Sequence, residues 1–303
     1  MHRTLRIVFI STLVMTAWAD VRAGQERFGQ RPPGSTAEPF GRAIMPPQYH
    51  HHGTAAFSPD GTEAYWSVLN FGTKPRRAIL MSRLENGAWT AARLAPFSDS
   101  AYDDVPFVSP DGGKLFFISA RSLEPGGKAD TERIWMVQRQ GAAWGSPQPL
   151  PPSVNQLPGI HHQVSTDAKG NLYFAAEGAG GYGQLDIYCA EMRNGAYQAP
   201  VNLGPAINGP AGDATPFVAP DGSYLLFTRY ADKRSSVFVS FRGDGQWLAP
   251  IDLTKHIPYG GQDSMDCARI TPDGRYFLFT TWGESDAAYW TDAAFLGRLR
   301  PLR

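Results

Sequence analysis

One phrase recurs along the chain and limits what it can fold into. Val108-Ser-Pro-Asp-Gly-Gly-Lys-Leu-Phe-Phe-Ile-Ser119 is matched by Phe57-Ser-Pro-Asp-Gly-Thr-Glu-Ala-Tyr-Trp-Ser67, Val218-Ala-Pro-Asp-Gly-Ser-Tyr-Leu-Leu-Phe-Thr228 and Ile270-Thr-Pro-Asp-Gly-Arg-Tyr-Phe-Leu-Phe-Thr280. Val164-Ser-Thr-Asp-Ala-Lys-Gly-Asn-Leu-Tyr-Phe174 is a looser copy. Each apolar run enters a turn and a second run, rich in aromatic and branched residues, leaves it; that is the signal of a β-hairpin. Asp60, Asp111, Asp167, Asp221 and Asp273 are read as turn formers, because Asp bonds its own local backbone and a catalytic group has no reason to recur in every unit. These aspartates lie 51, 56, 54 and 52 residues apart. A constant period near fifty means that each unit is one supersecondary element, stable only against its neighbours.

Within each period four strand signals follow one another. In the second unit they are Val105 to Ser109, Lys114 to Ser119, Arg133 to Arg139 and Ala143 to Leu150. A Gly turn and an aromatic residue separate the last two: Asn86-Gly-Ala-Trp89, Gln140-Gly-Ala-Ala-Trp144, Asn194-Gly-Ala-Tyr197 and Gly243-Asp-Gly-Gln-Trp247. A proline then follows at Pro147, Pro200 and Pro250, which suits an outer edge strand because proline lacks the ladder N–H. The expected fold is therefore all-β, a five-bladed β-propeller of four-stranded antiparallel blades. The last unit has no Gly-x-Trp strand of its own, so Pro39-Phe-Gly-Arg-Ala-Ile-Met45 is expected to supply its outer strand and close the ring. A ring of six blades is the alternative; residues 20–50 are too few and too rich in proline to build the sixth.

Composition narrows the class. With 303 residues, 42% of them apolar and 18% charged, the chain can bury a large core. Its formal net charge is zero, with no basic run to meet a phosphate backbone, so nucleic acid is not an expected partner. Residues 1–19 combine a basic start, an apolar run from Ile7 and the small-x-small end Ala17-Trp-Ala19, the pattern of a secretory signal peptide. That run is shorter than the roughly twenty residues that span a bilayer, so no transmembrane segment is expected in the mature form. Residues 20–38 read as a flexible leader and 39–303 as a single propeller domain, periplasmic or secreted, and monomeric. Cys189 and Cys267 fall at different positions of non-adjacent units, so two buried thiols are expected rather than a disulfide.

The Ser-Pro-Asp-Gly phrases, together with Asp186-Ile-Tyr and Asn194-Gly-Ala-Tyr-Gln-Ala-Pro-Val-Asn-Leu-Gly-Pro-Ala-Ile-Asn208, resemble the WD40-like PD40 repeats of TolB-like exported bacterial proteins. The resemblance covers about residues 40 to 290 and implies the propeller fold. It implies binding and scaffolding more than chemistry. The N-terminal α/β domain of TolB-like proteins and the peptidoglycan-binding domain of other relatives are not expected within these residues, so their partners are not carried over.

The candidate functional residues precede the turns. His50, His51 and His52, Asp103 and Asp104, His161 and His162, Asp213, and Asp263 with Asp266 all come shortly before the turn residue of their unit. In a propeller the first strand of each blade is innermost, so these positions ring one mouth of the channel. Tentative ligand contacts are His51, His52, Asp104, His161, His162, Asp213 and Asp266. A divalent metal is the cofactor this pattern could hold, on His52, His161 and His162. Against this stands a structural reading in which Asp103, Asp104, Asp213 and Asp266 bond the backbone between blades. Gly178-Ala-Gly-Gly-Tyr-Gly183 precedes a strand rather than a helix and is no phosphate loop, and no nucleophile elbow or triad is present.

Two functions are weighed. The leading one is a binding or scaffold protein taking an envelope protein, peptide or glycan at the channel mouth. The alternative is a metal-dependent carbohydrate-active enzyme, a lyase or a glycosidase, with Asp104, Asp213 and Asp266 as acid or base groups. A weaker variant of the first would use the loop from Ser122 to Glu132 as a side-face contact in an envelope complex.

Overall fold

In the Ser-Pro-Asp-Gly phrase of blade two, Gly112 N–H donates to the Ser109 carbonyl at 2.8 Å and Ser109 N–H to the Lys114 carbonyl at 2.9 Å. Proline supplies the φ required at the second turn position, and Gly112 takes the left-handed φ of 70° that follows. The Asp111 side chain accepts from Gly113 N–H at 2.9 Å and from the Ser109 hydroxyl at 2.6 Å. Asp60, Asp221 and Asp273 accept the equivalent N–H, from Thr62, Ser223 and Arg275. Asp167 also lies in a turn, but two positions earlier: Gly170 N–H donates to its carbonyl, so it stands where Ser109 stands. The expected equivalence with Asp111 is corrected accordingly. Lys169 holds that place, and Asp167 reaches forward to the N–H groups of Lys169 and Asn171.

The structure, a computed structural model, describes residues 26–303 except 47, 71–75, 99–101, 125, 129–130, 160, 179, 260–263, 283–286 and 302–303. Residues 1–19, read as a signal peptide, lie outside the described residues.

Five antiparallel sheets follow one another, each with its strands A to D in order from the inside outward. Blade one has A His51–Phe57, B Glu63–Val68, C Ala78–Glu85 and D Arg93–Leu94. Blade two has A Asp103–Val108, B Lys114–Ser119, C Arg133–Gln140 and D Gln148–Pro149. Blade three has His161–Thr166, Leu172–Ala176, Asp186–Ala190 and Val201–Asn202, and blade four Gly212–Val218, Tyr224–Ala231, Arg234–Gly243 and Ile251–Asp252. Blade five has Ser264–Ile270, Tyr276–Trp282 and Ala288–Asp292, and its outer strand comes from the start of the chain. That strand is Glu38–Pro39, with Glu38 opposite Trp290. It is shorter and earlier than expected, because residues 41–45 coil into a turn in which the N–H groups of Ile44 and Met45 both donate to the Gly41 carbonyl. The ring is a five-bladed propeller, and the A strands of successive blades meet around its axis.

The core lies between the blades. Tyr65, Ile79, Leu115, Phe117 and Trp135 fill the seam of blades one and two, and Tyr173, Ile187, Leu225 and Phe227 that of blades three and four. The aromatic that follows each C–D turn bridges a seam in two cases: Trp144 Nε1 donates to the Tyr65 hydroxyl at 2.7 Å, and Trp247 stacks edge-on to Tyr173. At the closing seam the stretch from Arg27 to Glu38, within what the sequence reads as a flexible leader, is anchored to the ring. Phe28 lies 4.3 Å from the Phe57 ring, Arg27 pairs with Asp273 at 2.7 Å, and the Gly34 carbonyl accepts from Asp292 N–H. Cys189 and Cys267 are free thiols, the first half-buried and the second buried.

Candidate functional site

Strand A of every blade carries a bulge, so its residues fall into two sets. The register skips between His52 and Ala56, Asp104 and Phe107, His161 and Ser165, Ala214 and Phe217, and Asp266 and Arg269. The residue after His52, Asp104, Ala214 and Asp266 is left-handed: Gly53, Val105, Thr215 and Cys267 have φ between 44° and 71°. For a branched residue this is an unusual conformation, and a bulge, left-handed in four of the five blades, re-aims whatever precedes it. By register, His52, Asp104, His161, Ala214 and Asp266 form one level around the channel. His51, Asp103, Asp213 and Met265 form the next.

The first level holds the candidate site. His52 Nδ1 donates to Asp104, lying 2.9 and 2.8 Å from its two oxygens, across the seam of blades one and two. Arg77 Nη1 lies 3.2 Å from the same carboxylate. Burial opposes charge on the imidazole, but the Asp104 carboxylate outweighs it and the His52 pKa lies above its ordinary value. Asp104 is fully buried; burial raises its pKa, while the bonds and charges of His52 and Arg77 win and hold it low. From the opposite neighbour, Asp266 also raises the His52 pKa. Asp266 accepts from the Tyr230 hydroxyl at 2.7 Å and from Cys267 N–H at 2.6 Å. His52, Asp266 and Tyr230 line an open cavity of about 730 Å³ with Gln184, Lys233 and Arg234.

The second level is turned toward the connections between blades. Asp213 is fully buried, accepts from Arg229 Nε and from Gly209 N–H, both at 2.7 Å, and Arg229 in turn donates to the Ile207 carbonyl. Asp103 does the same work at the connection of blades one and two: Arg121 bonds it at 2.7 Å and also reaches the Phe97 carbonyl. Burial raises the pKa of both carboxyls, and the facing guanidinium offsets that only in part. His51 donates Nε2–H to the Pro46 carbonyl, and burial lowers its pKa. The sequence treats Asp213 and His51 as equals of Asp104 and His52; the fold brings His52, Asp104 and Asp266 together and ties Asp213 and His51 to linkers.

His161 falls at the first level by register, while the side chains of His161 and His162, and residue Asp263, lie outside what the structure describes. Among the described residues no three His, Cys, Asp or Glu side chains are grouped to hold a metal ion.

Sequence reading missed Arg269. It occupies the inward place taken by Ala56, Phe107, Ser165 and Phe217 in the other blades. Its Nε donates to Gln163 Oε1 at 2.8 Å and its Nη1 to the Pro106 carbonyl at 2.6 Å, so it spans the channel from blade five to blades two and three. The signal was there to be found: a lone charge in Cys267-Ala-Arg-Ile270 where every other copy is uncharged.

No family model matches the chain, and no curated protein matches it. Among solved structures it is similar to a putative TolB from Agrobacterium tumefaciens, at 14% identity over 76% of this chain and 69% of that one, with a TM-score of 0.50. TolB from Acinetobacter baumannii gives 17% identity, 79% and 51% coverage and a TM-score of 0.50, so the chain spans about half of that protein. A nidogen/laminin complex gives 16% identity, 83% and 79% coverage and 0.50. These likenesses are of fold. No helix among the described residues is long and apolar enough to cross a membrane.

Proposed function

We propose that this chain is an exported, periplasmic propeller that binds an envelope peptide, protein or glycan at the channel mouth formed by the starts of its A strands. The observation that carries the reading is the cavity of about 730 Å³ where His52 and Asp266, from blades one and five, meet Tyr230, Lys233 and Arg234. Such a mouth presents acceptors, donors and an aromatic to one ligand, as binding sites do. The TolB-like fold and the export pattern of residues 1–19 support the compartment. The test is an array of muropeptides, bacterial glycans and envelope-derived peptides probed with the mature chain. A discrete set of ligands is expected, weakened at least about tenfold by Asp266→Asn, since a lost bond to a charged group is worth about 1.5–3 kcal/mol. Binding that survives Asp266→Asn and Tyr230→Phe unchanged contradicts the reading.

The His52–Asp104 bond favours a second reading, a metal-dependent enzyme, because a carboxylate behind a histidine is what fixes a ligating or proton-transferring ring. His161 and His162 would complete that ligand set. Metal analysis of untagged protein decides it: less than stoichiometric metal, with no change on His161→Ala, removes it.

A further inference from the structure

The opposite end of the channel is built differently. Below the bulges the A strands run to their turns and enclose a cavity of about 280 Å³ lined by Phe57, Phe107, Phe217, Tyr224 and Ile270. The prolines of the repeated phrase, Pro59, Pro110, Pro220 and Pro272, line it as well. No acidic residue is among its lining residues, and Arg269 is the one charged side chain.

Arg269 is only 3% exposed, and burial lowers its pKa to about 10. Its Nη2 is buried without a hydrogen-bond partner. The contrast with the other guanidiniums is sharp. Arg27, Arg77, Arg83, Arg121, Arg139 and Arg229 each face a carboxylate, whereas Arg269, more buried than any of them, faces a carbonyl and an amide. A buried cation normally comes with a counter-charge, and a guanidinium fork matches a carboxylate in shape as well as in sign.

We propose that this funnel is a second binding site, distinct from the polar mouth, for a small monocarboxylic acid whose apolar body lies among the phenylalanines and whose carboxylate meets Arg269. Because Arg269 and Gln163 bridge the channel between the two cavities, such a ligand enters from the turn side. The site does not depend on the mouth, and either can fail alone.

The test is calorimetric titration of the mature chain with decanoate, octanoate and benzoate, each beside its uncharged analogue, decanol, octanol or benzyl alcohol. Saturable one-to-one binding of at least one acid is expected, at least tenfold tighter than its alcohol. Ala55→Phe, which adds bulk at an apolar residue of the lining, should abolish it, and Arg269→Lys should weaken it at least tenfold. If Arg269→Lys does not fold, the Ala55→Phe variant and the acid-over-alcohol preference carry the test. Absence of binding by all three acids at millimolar concentration overturns the proposal, as does equal binding of acid and alcohol or binding unaffected by Ala55→Phe. An apolar tripeptide with a free C-terminus that binds tenfold tighter than every small acid, and loses that on amidation, overturns the commitment to a small molecule.

Discussion

His52 Nδ1 sits 2.8 Å from an oxygen of Asp104, although 52 positions of chain separate them, and the bond spans two blades. The pKa of His52 is raised by folding, so its contribution to stability is full below its unfolded value near 6.5 and fades as pH rises through the folded value. Asp104 runs the other way: its pKa is depressed, so its contribution is full above about 4 and fades as pH falls through the folded value. The pair therefore stabilises most at weakly acidic pH. Asp104→Asn should cost about 3 kcal/mol there, the scale for breaking a buried pair. It should also flatten the pH dependence of Tm above pH 6, and denaturant midpoints measured across pH check both effects.

Asp213 and Asp266 are expected to separate cleanly. Asp213→Asn strands Arg229 against the blade three to blade four connection and should cost about 2–4 kcal/mol of stability. Asp266→Asn keeps a hydrogen-bonding partner for Tyr230 and Cys267 N–H and should cost about 1 kcal/mol or less, while changing the binding mouth. Urea denaturation beside ligand binding tells the two apart.

The seam of blades one and two depends on Glu63. It accepts from Arg83 at 3.0 Å, from Arg139 at 2.5 Å and from the Tyr65 hydroxyl at 2.8 Å, while Tyr65 accepts from Trp144 Nε1. Tyr65→Phe removes the link between Glu63 and Trp144 and should cost about 1–2 kcal/mol. Glu63→Ala leaves two guanidiniums facing each other and should cost more. Thermal unfolding of the two variants should rank them in that order.

The N-terminal arm is part of the ring's stability. Phe28 is buried against Phe57, Phe40 and Trp290. Phe28→Ala should cost about 3 kcal/mol, as buried Phe truncations do. Limited proteolysis should then cut near Gly34 and Ala37, which wild type protects.

Much of this was legible in the chain itself. Five Pro-Asp-Gly or related turns at a steady period make five hairpins, and strand B of blade two, Lys114–Ser119, falls where its aromatic run begins and ends. The bulges were not legible. Period-two alternation assigns side chains to faces only while the register holds. The skip after Asp104 or His52 turns Asp103 and His51 outward in a way that composition does not record. Asp167 reads as the equal of Asp111 because the third phrase keeps an Asp, although it has no Pro and its Gly170 follows the Asp by three residues rather than one. Arg269 escaped because an isolated charge beside a turn reads as a solvated one until strands from other blades close over it.

The arrangement rests on the inner strands of blades one and five meeting at the mouth, and one engineered cross-link tests it. A Cβ at Gly53 would lie 4.0 Å from Cys267 Cβ and 3.8 Å from its sulfur, within the span of a disulfide. Gly53 holds a φ of 71°, so some strain is expected, but residues 214 positions apart in the chain would be joined. Gly53→Cys refolded in oxidising glutathione should leave one titratable thiol in denaturant, that of Cys189, with a mass two daltons below the reduced chain. Three free thiols and an unshifted mass would contradict the ring.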